Sequence, residues 1–197
     1  MKKYSLIAIL LLICSCYGVK EGFDKYIFIP DKEDPNLPAY TELGYNTFGA
    51  DYDDSYFLSS GSSSYGTYYH NGILDLYLNG RQESKDNTVS VDLIFSFPSS
   101  PVHTYQDLAA LNGTTVDLTG DSCRLIMEKG YQPADTLTVS NGHLNFKRVQ
   151  ILRIDREDDR AILSGTFDAQ FLRNNASETI SNGRFDLGIT GINKMNE

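Results

Sequence analysis

Leu137-Thr138-Val139-Ser140-Asn141-Gly142-His143-Leu144-Asn145-Phe146 is the stretch from which the architecture is read. Asn and Gly both tolerate positive φ, which a two-residue type I′ turn demands of its central pair. Folding the chain at Asn141-Gly142 sets Val139 opposite Leu144 and Leu137 opposite Phe146, with Thr138 opposite Asn145. Apolar pairs then share one face and the polar pair the other, as a half-buried hairpin requires. The same dipeptide recurs at Asn71-Gly72, Asn79-Gly80, Asn112-Gly113 and Asn182-Gly183, and each predicts a further turn. At Asn182-Gly183, Ile180 faces Phe185 but Glu178 would face Leu187, so that hairpin is expected to be short.

Outward from this stretch the period stays at two. Leu74, Leu76 and Leu78 alternate with Asp75 and Tyr77, and Val89, Val91, Leu93, Phe95 and Phe97 repeat the pattern until Pro98 ends it. Leu163, Gly165, Phe167, Ala169 and Phe171 form another such run, as do Phe185, Leu187 and Ile189. Between Phe146 and Val149 the apolar parity flips, which predicts a bulge at Lys147-Arg148. One stretch reads as helix: Thr104 precedes Asp107 at capping distance, Leu108 and Leu111 share a face, and Gly113 stands where a helix stops. One short helix near 105–111 cannot cover a sheet of eight or more strands. The expected fold is therefore all-β, an antiparallel β-sandwich spanning 39–197.

The N-terminus carries a different message. Lys2 and Lys3 precede an unbroken apolar run from Leu6 to Ile13, too short for a membrane span of about 20 residues. Residues 1–15 read as a secretory signal. Ser15 is the small residue that lipoprotein processing wants immediately before the acylated cysteine, so Cys16 is the expected lipidation site. Cys14, preceded by the bulky Ile13, is the poorer candidate. Residues 16–38, with their prolines and charges, read as a lipid-anchored tether, apart from Tyr26-Ile27-Phe28-Ile29, an apolar run able to dock as an edge strand. Cys123 is then the remaining thiol, expected as a small buried hydrophobe in a strand.

Three segments behind the lipobox resemble a group of Bacteroidota lipoproteins of unknown function. They are Asn46-Thr47-Phe48-Gly49-Ala50 (preceded by Leu37-Pro38), Leu163-Ser164-Gly165-Thr166-Phe167, and Ile180-Ser181-Asn182-Gly183-Arg184-Phe185-Asp186. The resemblance implies a lipid-anchored cell-envelope protein, in the outer membrane, on its periplasmic or surface face. It implies no chemistry. The chain departs from the group at Asp51-Tyr52-Asp53-Asp54, where an apolar strand would be expected.

Charge excludes one class of partner. Seventeen basic against 26 acidic residues give a net charge of −9, which repels the phosphate backbone of nucleic acid. No nucleophile elbow, zinc-binding helix or phosphate loop occurs. His70, His103 and His143 are far apart in sequence, and Asp51, Asp53 and Asp54 lack the glycine and the bidentate glutamate of a calcium loop. No cofactor, metal or catalytic residue is assigned. Seven of 13 tyrosines fall between Tyr40 and Tyr69, beside Gly61-Ser62-Ser63-Ser64, a composition typical of adaptable binding loops. Tyr65, Tyr68 and Tyr69 are the expected recognition surface. The chain thus reads as a non-catalytic envelope module for a glycan or protein ligand. Two alternatives stay open: a hydrolase or metal-dependent enzyme whose residues converge only in three dimensions, and a structural subunit of a surface assembly.

Overall fold

The computed structural model describes residues 25–61, 65–99, 105–154, 158–189 and 193–194. Eleven strands form it: β1 (Thr47–Tyr52), β2 (Ser55–Ser59), β3 (Tyr65–His70), β4 (Ile73–Glu83), β5 (Thr88–Pro98), β6 (Thr115–Asp117), β7 (Arg124–Lys129), β8 (Asp135–Ile154), β9 (Asp158–Arg173), β10 (Ala176–Ile189) and β11 (Asn193–Lys194). A 3₁₀ helix, Tyr105–Leu111, follows β5.

The sandwich expectation is overturned. Strand order runs β4-β2-β1-β10-β9-β8-β7-β5, and β5 pairs again with β4, so eight antiparallel strands close into a barrel. One short helix cannot cover this sheet, but a second sheet is not the only other cover. Closure is the other way a sheet hides its apolar face, and it also removes the open edges. β3 and β11 flank the barrel beside β4, and β6 pairs with β8 below the point where the short β7 ends. The 3₁₀ helix contributes Leu108 and Leu111 to the core.

Bulges, more than turns, account for the Asn-Gly dipeptides. β8 runs straight through Asn141-Gly142, with a register shift against β9 between Val139 and Asn141, so the expected hairpin there does not exist. A two-residue turn and a one-residue bulge both flip apolar parity, which is why Leu137, Leu144 and Phe146 are nonetheless buried together. Gly142 is required by proximity: a Cβ would lie 2.8 Å from the Asp168 carbonyl oxygen. Asn182-Gly183 is likewise a bulge in β10. Asn79-Gly80 lies within β4, opposite the break between β2 and β3. Asn71-Gly72 is a true hairpin turn, with φ of 46° and 82°. The parity flip after Phe146 is a bulge between Phe146 and Arg148.

Eight strands enclose a space that side chains can just fill. Here Tyr52, Phe48, Phe57, Phe95, Phe97, Phe146, Phe167, Phe171 and Phe185 are buried with leucines around them. Phe146 stacks edge-on to Phe185 at 5.8 Å and Phe95 to Phe167 at 5.4 Å. The interior is a packed core.

First and last long strands meet in a seam. β10 lies between β1 and β9, with Phe48 opposite Phe185 opposite Gly165, and Thr47 opposite Asp186 opposite Ser164. The buried Asp186 carboxylate accepts hydrogen bonds from the Thr41 hydroxyl (2.5 Å), the Ser164 hydroxyl (2.9 Å) and the backbone N–H groups of Leu43, Gly44 and Tyr45. Asn46, at φ 60°, uses its side-chain oxygen to accept from Tyr65 Oη (2.6 Å) and the Gly188 N–H (2.7 Å). Residues 25–38, read from sequence as part of the tether, form a strap against the barrel. The Ile27 N–H donates to the Tyr45 carbonyl, Arg184 pairs with Asp31 at 2.8 Å, and Leu37 is buried.

Candidate functional site

Turns at Asp53-Asp54 and Asn174-Asn175 mark one end of the barrel, here the upper mouth; the Asn71-Gly72 turn marks the lower end. Period-two alternation carries each inward row up to this mouth, and its last members are polar. β1 ends inward on Tyr52, β7 on Lys129 after Leu125 and Met127, and β9 on Arg173 after Phe171; β10 begins inward with Glu178 before Ile180. On β4, Gln82 follows Leu78 and Gly80 and faces Phe57 across the strand pair. These side chains form a polar collar on an aromatic core.

Within the collar the acceptors are engaged. The Tyr52 hydroxyl donates to the Glu178 carboxylate and lies 3.4 Å from Met127 Sδ. Gln82 donates to the Ser55 hydroxyl at 2.7 Å, and that hydroxyl donates to the Tyr52 carbonyl. Asp53, just outside, accepts from the Thr179 N–H at 2.8 Å. The cations are engaged far less. Lys129 Nζ sits 4.8 Å from the Tyr52 ring centroid, a cation–π contact, and makes no ion pair among the described residues. Arg173 is only 7% exposed; its Nη2 donates to Gln132, while its Nε has no partner among the described residues. Burial holds the Lys129 ammonium below its ordinary range, with Arg173 adding to the effect against Glu178 and Asp53. Burial and then the Glu178 hydrogen bond push the Tyr52 phenol well above its usual value, so it stays a donor.

The tyrosines expected to recognise a ligand do not share a face. Tyr65 and Tyr69 pair with Leu78 and Leu74 and pack on the core, whereas Tyr68 lies opposite Asp75 on the outer wall, edge-on to Tyr77 at 6.4 Å. Cys16 and His103 lie outside the described residues. His70 and His143 each stand 3.6 Å from one carboxylate, Asp75 and Asp168, on different strands. No group of three metal-ligating side chains occurs among the described residues. Cys123 is half-buried, and burial raises its thiol pKa, which keeps it protonated. Asp51 and Asp53 accept from Asn182 and Thr179, so the acidic turn stitches β1 to β10.

A second concavity lies outside the barrel. The bulge in β8 turns both Lys147 and Arg148 to solvent beside Glu42, Asn112 and Gln150, around a depression of about 510 Å³. That volume would admit a sugar ring. Its cations, however, are exposed to water: Arg148 pairs with Glu42 at 3.3 Å, Glu42 also accepts from Tyr40, and Lys147 lies 5.7 Å from the Tyr40 ring centroid. Among the described residues, the upper mouth combines a buried guanidinium that has an unsatisfied donor with a half-buried ammonium that has no ion pair. No known protein family, curated protein or solved structure matches the chain.

Proposed function

We propose that the protein is a lipid-anchored, non-catalytic module of the cell envelope that binds a polar ligand at the upper mouth of its barrel. It belongs, on this reading, with the Bacteroidota lipoproteins its motifs resemble. The supporting observation is a polar collar with unengaged cationic donors on a core too full to admit a ligand. A ligand must therefore sit on the mouth, where a few convergent polar groups orient it. A glycan suits this mouth: side-chain amides, a hydroxyl and a phenol crowd into a small area.

On this reading the anchor and the mouth would work together. Among the described residues the strap is followed from Lys25, whose carbonyl accepts from the Asn46 side chain at the lower end. Cys16 stands nine residues before it, a reach of at most about 30 Å. A lipid at Cys16 would hold the lower end to the membrane and present the mouth outward. The test is a screen of glycans and peptides against the full chain, with the contact mapped by amide shift changes. Shifts confined to the lower end or outer wall, or turnover of any screened compound, would defeat the reading. Cys16→Ser should move the protein from the membrane fraction to the soluble one.

A further inference from the structure

We infer that the ligand of the upper mouth carries a carboxylate, and that Lys129 and Arg173 hold it: the mouth is a subsite for an acidic sugar, a uronic-acid residue of an oligosaccharide. This inference rests on the reading of the mouth as a binding site and adds the ligand's chemistry. The carboxylates near the collar have partners, Glu178 in the Tyr52 hydroxyl and Asp53 in the Thr179 N–H. The two cations beside them do not have acceptors to match. Arg173 is more than nine-tenths buried with Nε unsatisfied, and Lys129 faces an aromatic ring, which satisfies no hydrogen-bond donor geometrically. A buried donor without an acceptor is costly, and a guanidinium beside an ammonium is costlier still. An oxyanion on the mouth would offer acceptors to both through charge-assisted bonds.

Why a sugar acid, among oxyanions, follows from the neighbours. Tyr131 stands fully exposed in the β7–β8 turn; in sequence it falls between Lys129 and Gln132, the Arg173 partner. An exposed aromatic face next to a cation pair suits a pyranose, whose C–H face stacks while its carboxylate reaches past the ring edge. The net charge of −9 works against polyanions such as nucleic acid or polyphosphate, which bring many charges beyond the mouth. A short uronate brings few charges beyond the mouth, so it meets the local cations with a smaller penalty than a long polyanion.

The experiment is calorimetric titration of the full chain with trigalacturonate, its fully methyl-esterified form, inorganic phosphate, and a peptide ending in a free carboxylate. Trigalacturonate is expected to bind. Esterification, Lys129→Gln and Arg173→Gln are each expected to weaken binding at least 10-fold, and added salt to weaken it further. Lys129→Arg should restore most of the affinity, since it returns the charge. Lys129 is half-buried, so Lys129→Gln decides the matter if Arg173→Gln does not fold. Equal binding of the esterified trisaccharide would overturn the acidic-sugar inference and leave a neutral-glycan mouth standing. Binding of the peptide or phosphate without the trisaccharide would also overturn it. Failure of all four to shift amides of the mouth, with a ligand found to bind elsewhere, would remove inference and site together.

Discussion

The two ends of β1, β9 and β10 are built on opposite rules. At the seam, toward the lower end, the buried polar side chains of these strands have partners among the described residues: Asp186 gathers five donors and Asn46 ties Tyr65, Gly188 and Lys25. At the mouth the same strands end in Tyr52, Arg173 and Glu178, and two cations are left with donors to offer. A saturated network makes one structure unique and rigid, whereas an unsaturated one is costly unless something else completes it. On the proposed reading, the contrast separates holding the fold from using it. The motif residues Asn46, Ser164, Gly165, Phe185 and Asp186 all fall on the holding side.

The contrast breaks first at Gly165. A Cβ there would collide with the Asn145 carbonyl oxygen and the Phe185 ring, and the carbonyl belongs to a ladder that cannot retreat. Gly165→Ala should cost more than about 4 kcal/mol and leave little folded protein by circular dichroism. Retention of the native melting temperature would show the seam to be looser than described. Asp186→Ala comes next. Stranding three backbone N–H groups and two hydroxyls should cost at least about 3 kcal/mol in urea unfolding, with no comparable effect from Asp53→Ala at the opposite end.

Tyr52→Phe probes the boundary between core and collar. Its phenol is raised above the ordinary value of 10 in the folded state, chiefly by burial. That contribution is complete below pH 10 and is lost as pH climbs beyond it. The variant should lose about 1–2 kcal/mol at neutral pH, while its stability declines less steeply above pH 10. Identical alkaline limbs for the two proteins would contradict the burial of this hydroxyl. Lys129 has the reverse sign: its depressed pKa makes the charged form a burden that lifts as pH rises toward 10.5. Smallest of all should be Arg173→Met, within about 1 kcal/mol of the parent in either direction, because an incompletely satisfied buried cation adds little to the fold. A loss above about 3 kcal/mol would place Arg173 with the seam.

How much of this was legible follows from the same physics. Alternation exposed the inward rows, and Leu74 to Leu78, Val91 to Phe97 and Leu163 to Phe171 are buried in the register read from sequence. Closure was not legible, because a strand's pattern records which face is covered and not what covers it. Asn-Gly was ambiguous in kind, since positive φ at Asn182 serves a bulge as well as it serves a turn at Asn71. Meanwhile Asn174-Asn175, with φ of 51° and 65°, makes the β9–β10 turn without any glycine. The collar did leave a signal. Stepping two residues beyond the last apolar member of each inward row arrives at Lys129, Arg173 and Glu178, charged residues at positions that parity directs inward. Tyrosine density pointed elsewhere because it reports composition, and Tyr65 and Tyr69 are drawn inward by the parity of β3.

The seam also sets an order of events. Most neighbours around the barrel are consecutive strands, whose turns can close as soon as each pair is made, but Gly44 and Asp186 are separated by 142 positions. A chain synthesised from its N-terminus holds β1 with one edge open until residue 189 has emerged. Loop closure over that distance is the slow, entropy-limited step. The latch around Asp186 is therefore expected to be the last part of the wall to form, with the chain an unsealed sheet for most of its synthesis.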